Sequence, residues 1–395
     1  MNSIERVEMA LNHQEPDCIP SDLGSTVMSS LNVVAYRNLR KHLGFPETDI
    51  RVADTVQQLV DVDDDVRNYF KVDVSGVQPG KSASSARIEI KEDMPNYRYF
   101  YDEWGIGWKM PKVDGLYYDV FSHPLKGDFS LADLDRYAWP DPVDPARFAG
   151  VREQVRKSVE EEHRPVIIGG LCAGFVEMAG WMRGYEEYLI DFASNTTLLE
   201  AFFDKILELK MAYWDKMLAE VGDLVTAVLE SDDMGSQNNL LFSPRAYRKY
   251  VKPRHKQLYS YIKSKTRAKL FLHSCGAIRS ILPDLIEAGV EILNPVQVSA
   301  AGMDTHELKQ EFGNDLSFWG GGVDTQFVLG SGTIQQVKDE VRRRIDDLAP
   351  GGGFIFATVH AVQGNVPPEN VVAVWKTLHE YGKYPEKKKI EKELE

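Results

Sequence analysis

Cysteine is scarce in this chain of 395 residues: Cys18, Cys172 and Cys275 stand far apart. Three scattered thiols cannot build a disulfide framework, and they fit a reducing, cytoplasmic setting. No run reaches 18 uninterrupted apolar residues, the length a spanning helix demands, so no membrane segment is expected. The opening MNSIERVEMALNHQEPD mixes charges into a helical pattern and lacks the apolar stretch of a secretory signal. Positive charge is also short, since 46 Lys and Arg against 60 Asp and Glu leave a net −14. That balance argues against a nucleic-acid or anionic-membrane partner, either of which needs a positive patch. No solenoid-period repeat is present, and no glycine fingerprint follows an early strand. GSGT at 330–333 has no strand before it, and GGG at 320–322 and 351–353 lacks phosphate-loop spacing.

What is present is a regular alternation. Short apolar runs end in small or polar residues, and each is followed by an amphipathic stretch. The runs are PVIIGG (165–170), LVTAVLE (224–230), KLFLH (269–273), VEILNP (290–295), LSFWG (316–320) and GFIFATVH (353–360). Earlier, CIPSDL (18–23) and VDVSGV (72–77) are candidate first and second strands. Eight strands alternating with helices predict an α/β fold, a (β/α)8 TIM barrel spanning residues 1–385 as a single domain. The aromatic alternation in YRYFYDEWGIGWKM, between Arg87 and Tyr118, reads as an inserted β-hairpin. Residues 386–395, EKKKIEKELE, read as a charged tail.

In such a barrel the C-terminal ends of the strands share one mouth. Those ends carry Asp22, Glu230 with Asp232 and Asp233, His273 with Cys275, Asn294, and His360. Catalytic zinc takes three protein ligands from His, Cys, Asp or Glu and keeps one position open. His273, Cys275 and His360 supply such a set. An H-x-C alone is a weak signal that reads more readily as a packed histidine and a buried thiol, and His360 at an independent strand end tips the balance to metal. The remaining histidines, His255 among them, read as surface or helix-end residues. Asp22, Glu230, Asp232 and Asp233 are the candidate catalytic carboxylates, although one of the ESDD acids could equally cap the next helix. Trp104, Trp108, Tyr117 and Tyr118 could wall a flat substrate or simply cover the core.

The H-x-C-G run at 273–276, ESDDMGSQ…SPRAYRKYVKP at 230–253 and HAVQGNVPPENV at 360–371 resemble the uroporphyrinogen decarboxylase superfamily. RVEMALNHQEPDCIPSDLG near the start fits as well. The resemblance covers nearly the whole chain and implies one (β/α)8 barrel. It also implies one of two chemistries. The decarboxylases proper use no metal and hold a polycarboxylate tetrapyrrole through arginines near the first strand. Here no Lys or Arg occurs from Val7 to Tyr36, which disfavours that substrate because unpaired buried charges are costly. The other branch comprises zinc-dependent methyltransferases that work with a corrinoid on a partner protein, and their third zinc ligand is usually a cysteine near the last strand. His360 stands in that place, leaving one thiolate instead of two and a more electrophilic metal. The expectation is zinc-dependent transfer of a methyl group from a methyl ether, plausibly a methoxylated aromatic, to Co(I) corrinoid. The rivals are transfer from methyl-corrinoid to a thiol, metal-free decarboxylation, and a non-catalytic ligand-binding barrel.

Overall fold

The computed structural model describes residues 1–85 and 88–384, so the charged tail expected at 386–395 lies outside the described residues. Seven strands form one parallel sheet in chain order: β1 (Ser75–Val77), β2 (Val166–Ile168), β3 (Ala227–Ser231), β4 (Lys269–His273), β5 (Ile292–Asn294), β6 (Ser317–Trp319) and β7 (Phe354–Ile355). Residues 20–22 close it. The Asp22 N–H donates to the Phe356 carbonyl at 2.8 Å and the Phe356 N–H to Pro20 at 2.8 Å. On the other edge the Asp73 N–H donates to Ser21 at 2.9 Å. With both sheet edges hydrogen-bonded to this segment, the expected eight-stave barrel is complete.

Alternation along each strand sorts its side chains. Ala227, Leu229, Phe271, Ile292, Trp319 and Ile355 pack inside the barrel, together with Val7, Ala10 and Leu11 of the helix Ser3–Leu11, which plugs its N-terminal end. Val228, Leu270, Leu272, Leu293, Phe318 and Phe354 face outward into the layer beneath the surrounding helices. Burial on both faces is why these strands read as continuous apolar runs. The helix Thr196–Val221 covers that layer with Phe203, Ile206, Trp214 and Met217, all fully buried. Truncating Phe203 to Ala would cost about 3–5 kcal/mol by leaving a cavity.

The insertion is larger than a hairpin. Strands Tyr97–Tyr101, Gly107–Pro111 and Asp119–Ser122 form a three-stranded antiparallel sheet, because the alternation resumes after the Asp114–Gly115 turn and Trp108 pairs with Val120. One face buries Phe100, Trp108, Met110 and Tyr118. Trp104, Trp108 and Tyr118 are therefore core of this cap, while Tyr117 is exposed. The cap is tied to the C-terminal end of the barrel: the Asn32 side chain donates to the Leu116 carbonyl, and the Trp108 ring meets that of Trp181 in the helix Phe175–Met182.

Candidate metal centre

β4 and the segment after β7 deliver three donors to one point. Ligand atoms of His273, Cys275 and His360 all lie within 4.8 Å of one another, a group found among the described residues. Cys275 Sγ stands 3.5 Å from His273 Nε2, and the two imidazole centroids are 5.7 Å apart. In a tetrahedral zinc site, bonds of about 2.0 Å to nitrogen and 2.3 Å to sulfur put those two ligands about 3.5 Å apart. The donor geometry fits such an ion.

The local sequence explains the placement. His273 ends β4 on its inward face, in register with Phe271. The chain then turns sharply at Gly276, where φ is +89° and an added Cβ would lie 2.4 Å from the Gly235 carbonyl carbon. Only glycine meets both demands. The Cys275 N–H donates to Asp233 Oδ1 at 2.7 Å and the Gly276 N–H to Gln297 Oε1 at 2.6 Å, which fixes the turn. Asn294, at the end of β5, settles the tautomer of His273. Its amide nitrogen donates to the Trp319 carbonyl at 2.7 Å, so its oxygen is left to accept from His273 Nδ1 at 2.5 Å. The lone pair of His273 is thereby placed on Nε2, beside the cysteine sulfur.

Electrostatics disfavour charge on two of the donors, His360 and Cys275. Burial first, and then His273, hold His360 down to about 4. Burial, with Asp233 and Glu177 adding repulsion, pushes the Cys275 thiol well up. Burial, then Asp233 and Asp232, likewise raises Glu177. Such a thiol and such a carboxyl ionise readily only beside a positive charge, and a divalent ion reverses the local preference. Glu177 escaped the sequence reading. It sits in the first turn of the helix Phe175–Met182, directly after β2, so its position after a strand end was the available signal.

The four carboxylates expected at the mouth part ways. Asp233 is there: Oδ1 lies 3.8 Å from His273 Nε2, and its side chain is one-third exposed. Glu230 is not. It follows inward-facing Leu229 and so points outward, where it accepts from Lys210 Nζ at 2.7 Å and Trp214 Nε1 at 2.6 Å in full burial. Burial opposes the charge of Lys210 most strongly, but Glu230, Cys172 and Asp232 together outweigh it and hold its ammonium above the ordinary value. Asp232 serves the first turn of an earlier helix, Phe175–Met182, accepting from the Val176 and Glu177 N–H groups at 3.0 and 3.1 Å, while the next helix is capped by Ser243 and by none of these acids. The other oxygen of Asp232 meets His255 Nε2 at 3.1 Å, so His255 is a buried partner, not the surface residue expected. Asp22 is buried, with its carboxyl pushed up by desolvation, and accepts from the Ser25 N–H and from Trp319 Nε1 at 2.9 Å. It braces the Trp319 that orients Asn294. Burial raises the remaining thiols, Cys172 to about 12 and Cys18 to about 11, as expected of inert packing residues.

Residues 110–381 match the family model described as uroporphyrinogen decarboxylase (URO-D). The methylcobamide:CoM methyltransferase MtaA of Methanosarcina barkeri is 30% identical over 256 residues, covering 63% of this chain and 69% of that protein. The uroporphyrinogen decarboxylase of Geobacter sulfurreducens is 22% identical over 283 residues, covering 69% of this chain and 75% of that one. A solved methyltransferase from Methanosarcina mazei shares the fold, with a TM-score of 0.63 at 20% identity over 96% of this chain and 99% of that one. The chain belongs to the uroporphyrinogen decarboxylase family, and it is an enzyme of that family's corrinoid-dependent methyltransferase branch.

Proposed function

We propose that this enzyme moves a methyl group from a methyl ether, such as a methoxylated aromatic, to the Co(I) corrinoid of a partner protein, with zinc held by His273, Cys275 and His360. The observation that carries the reading is the donor set: two imidazoles and a single thiolate within 4.8 Å. When bound, the ion supplies Lewis acidity to the departing oxygen, and one thiolate donor leaves it more electrophilic than two would. Co(I) contributes the electron pair of the new bond to carbon, the C–O pair stays with oxygen, and a proton neutralises the phenolate. We assign the handling of that proton to Asp233, a reading supported by its partial exposure beside His273. Asn294 holds His273 in the binding tautomer, and Asp22 supports Asn294 through Trp319.

A second reading, transfer from methyl-corrinoid to a thiol, is favoured by the printed activity of the Methanosarcina barkeri relatives. Two assays of the zinc-loaded enzyme separate the two. One supplies reduced corrinoid protein and a methoxylated phenol, and the other supplies methylated corrinoid protein and a free thiol. The first reading requires stoichiometric zinc and demethylation of the phenol ether. Turnover confined to the thiol assay replaces it with the second, and full activity without metal removes both.

A further inference from the structure

The part of the rim built by the segments after β3 to β7 has a composition unlike the rest of the molecule. Charged residues make up 27% of the chain. Yet no Lys or Arg occurs in the segments that follow β3 to β7: 231–243, 274–278, 295–304, 320–333 and 356–367. In their place stand uncharged amides, and several are linked. Gln297 accepts from the Gly276 N–H, next to the ligand Cys275, and donates to Gln237 Oε1 at 3.3 Å. Gln237 donates onward to the Ser299 carbonyl, and the Ser299 hydroxyl donates to Gln326 Oε1 at 3.1 Å. A ladder of amides therefore runs from the metal ligands to the outer edge across three loops. Beside it Asn238 and Asn239 line a groove of about 510 Å³ together with Arg279 and Glu311, which neutralise each other in an ion pair, and Phe327 is 64% exposed next to Gln326.

Each primary amide both donates and accepts without carrying charge. A surface of this kind matches a ligand edged by further neutral primary amides and gives nothing to a ring of carboxylates, which requires cations. The corrin macrocycle is fringed by acetamide and propionamide side chains. We infer that the amide ladder Gln297–Gln237–Gln326, with Phe327, is the surface that receives the carboxamide edge of the corrinoid over the metal centre. This inference rests on the methyl-transfer reading for its ligand and adds where and how that ligand is recognised. It separates two tetrapyrrole-like rings by periphery alone: amide-edged rings fit the rim, and carboxylate-edged rings are left unpaired.

The test is direct binding to the full-length, zinc-loaded enzyme, so that no turnover is required. The probes are cobinamide, which keeps the peripheral amides, and cobyrinic acid, which carries carboxylates in their place. Cobinamide is expected to bind at least tenfold more tightly than cobyrinic acid. Gln237→Leu with Gln326→Leu is expected to erase about tenfold of the cobinamide affinity, the scale of one or two lost hydrogen bonds. Gln237→Glu with Gln326→Glu, which keeps size and polarity, guards against a packing artefact and is expected to lose at least as much. Zinc content and far-UV circular dichroism report whether each variant is folded. Equal binding of the two rings, or cobinamide affinity indifferent to both double variants, overturns the inference. If cobinamide binds as described but no methyl group is transferred, the functional reading falls and the recognition surface stands. If methyl transfer proceeds with cobyrinic acid as well as with cobinamide, the reverse holds.

Discussion

The two ends of this barrel differ in the charged groups they gather. At the N-terminal end a groove of about 800 Å³ runs between the plug helix and segments 222–226 and 263–269, lined by Lys263, Lys265, Arg267 and Lys269. Lys263 and Lys269 share Glu291, and Lys265 pairs with Asp215. The opposite end gathers two histidines, a thiol, Asp233 and Glu177, and the segments that follow β3 to β7 there carry no Lys or Arg. The larger cavity holds ordinary surface ion pairs, and the chemistry sits where strand ends converge. Size locates empty space, whereas unusual donors brought together from distant strands locate a site.

The largest effects expected are at the mouth. Cys275→Ala or His360→Ala removes one of three donors, and zinc and methyl transfer should both be lost, by about 10³-fold or more in turnover. Zinc analysis with an activity assay checks this, and a variant that keeps both would mean that the three residues hold no metal. Two carboxylates three residues apart sharpen the contrast. Glu230→Leu strands the ammonium of Lys210 in the buried layer and should lower stability by about 3–5 kcal/mol. Asp233→Asn should leave urea unfolding nearly unchanged while turnover falls by about 10²-fold or more. If Glu230→Leu lowers turnover at full stability, the outward orientation of Glu230 is not what separates their roles.

Those two acids also show where sequence reading stops. The strands were legible because parallel strands buried on both faces read as apolar runs, and the ends of those runs gave His273, Cys275 and His360. The same double burial hid the parity. In LVTAVLESDD nothing marks which alternate residues face inward, so Glu230 looked as available as Asp233. His255 was invisible for another reason. It lies in a basic, polar stretch of the helix Lys252–Lys265, and its burial depends on the end of β3 standing opposite. Asn294 appeared at a strand end, but its role depends on the Trp319 carbonyl, and backbone acceptors leave no trace in residue type.

A smaller effect is expected one layer behind the metal ligands. Asn294→Leu removes the acceptor that fixes His273 Nδ1–H, so the ring is free to turn and to take the wrong tautomer. Zinc affinity, measured by competition with a chelator, should fall about 10–100-fold, the usual cost of losing such a support. Asn294→Asp keeps an acceptor but loses the donor to Trp319, and should fall between the two. Unchanged affinity in both would show that packing alone orients the imidazole.

The smallest effect is expected at the other end. Lys309 donates to the Gly352 carbonyl at 2.5 Å, and burial lowers its ammonium to about 8 even though Glu15 opposes the shift. A base whose folded pKa lies below its unfolded value favours folding fully above the unfolded value, near 10.5, and loses that contribution as pH falls through the folded value. At pH 7 both states are protonated and the folded one bears the cost of a half-buried cation. Lys309→Met should therefore stabilise the protein at pH 7, by about 1 kcal/mol once solvent access and the lost hydrogen bond to Gly352 are discounted. The gain should shrink between pH 8 and 10.5, where the unfolded chain still binds a proton that the folded one has released. Urea unfolding of both proteins at pH 7, 9 and 10.5 measures it. Methyl transfer should be unaffected, because the plug helix and the packed interior stand between this lysine and the metal centre. A gain that persists unchanged at pH 10.5 would mean that the substitution acts by packing and that the charge of Lys309 has no cost.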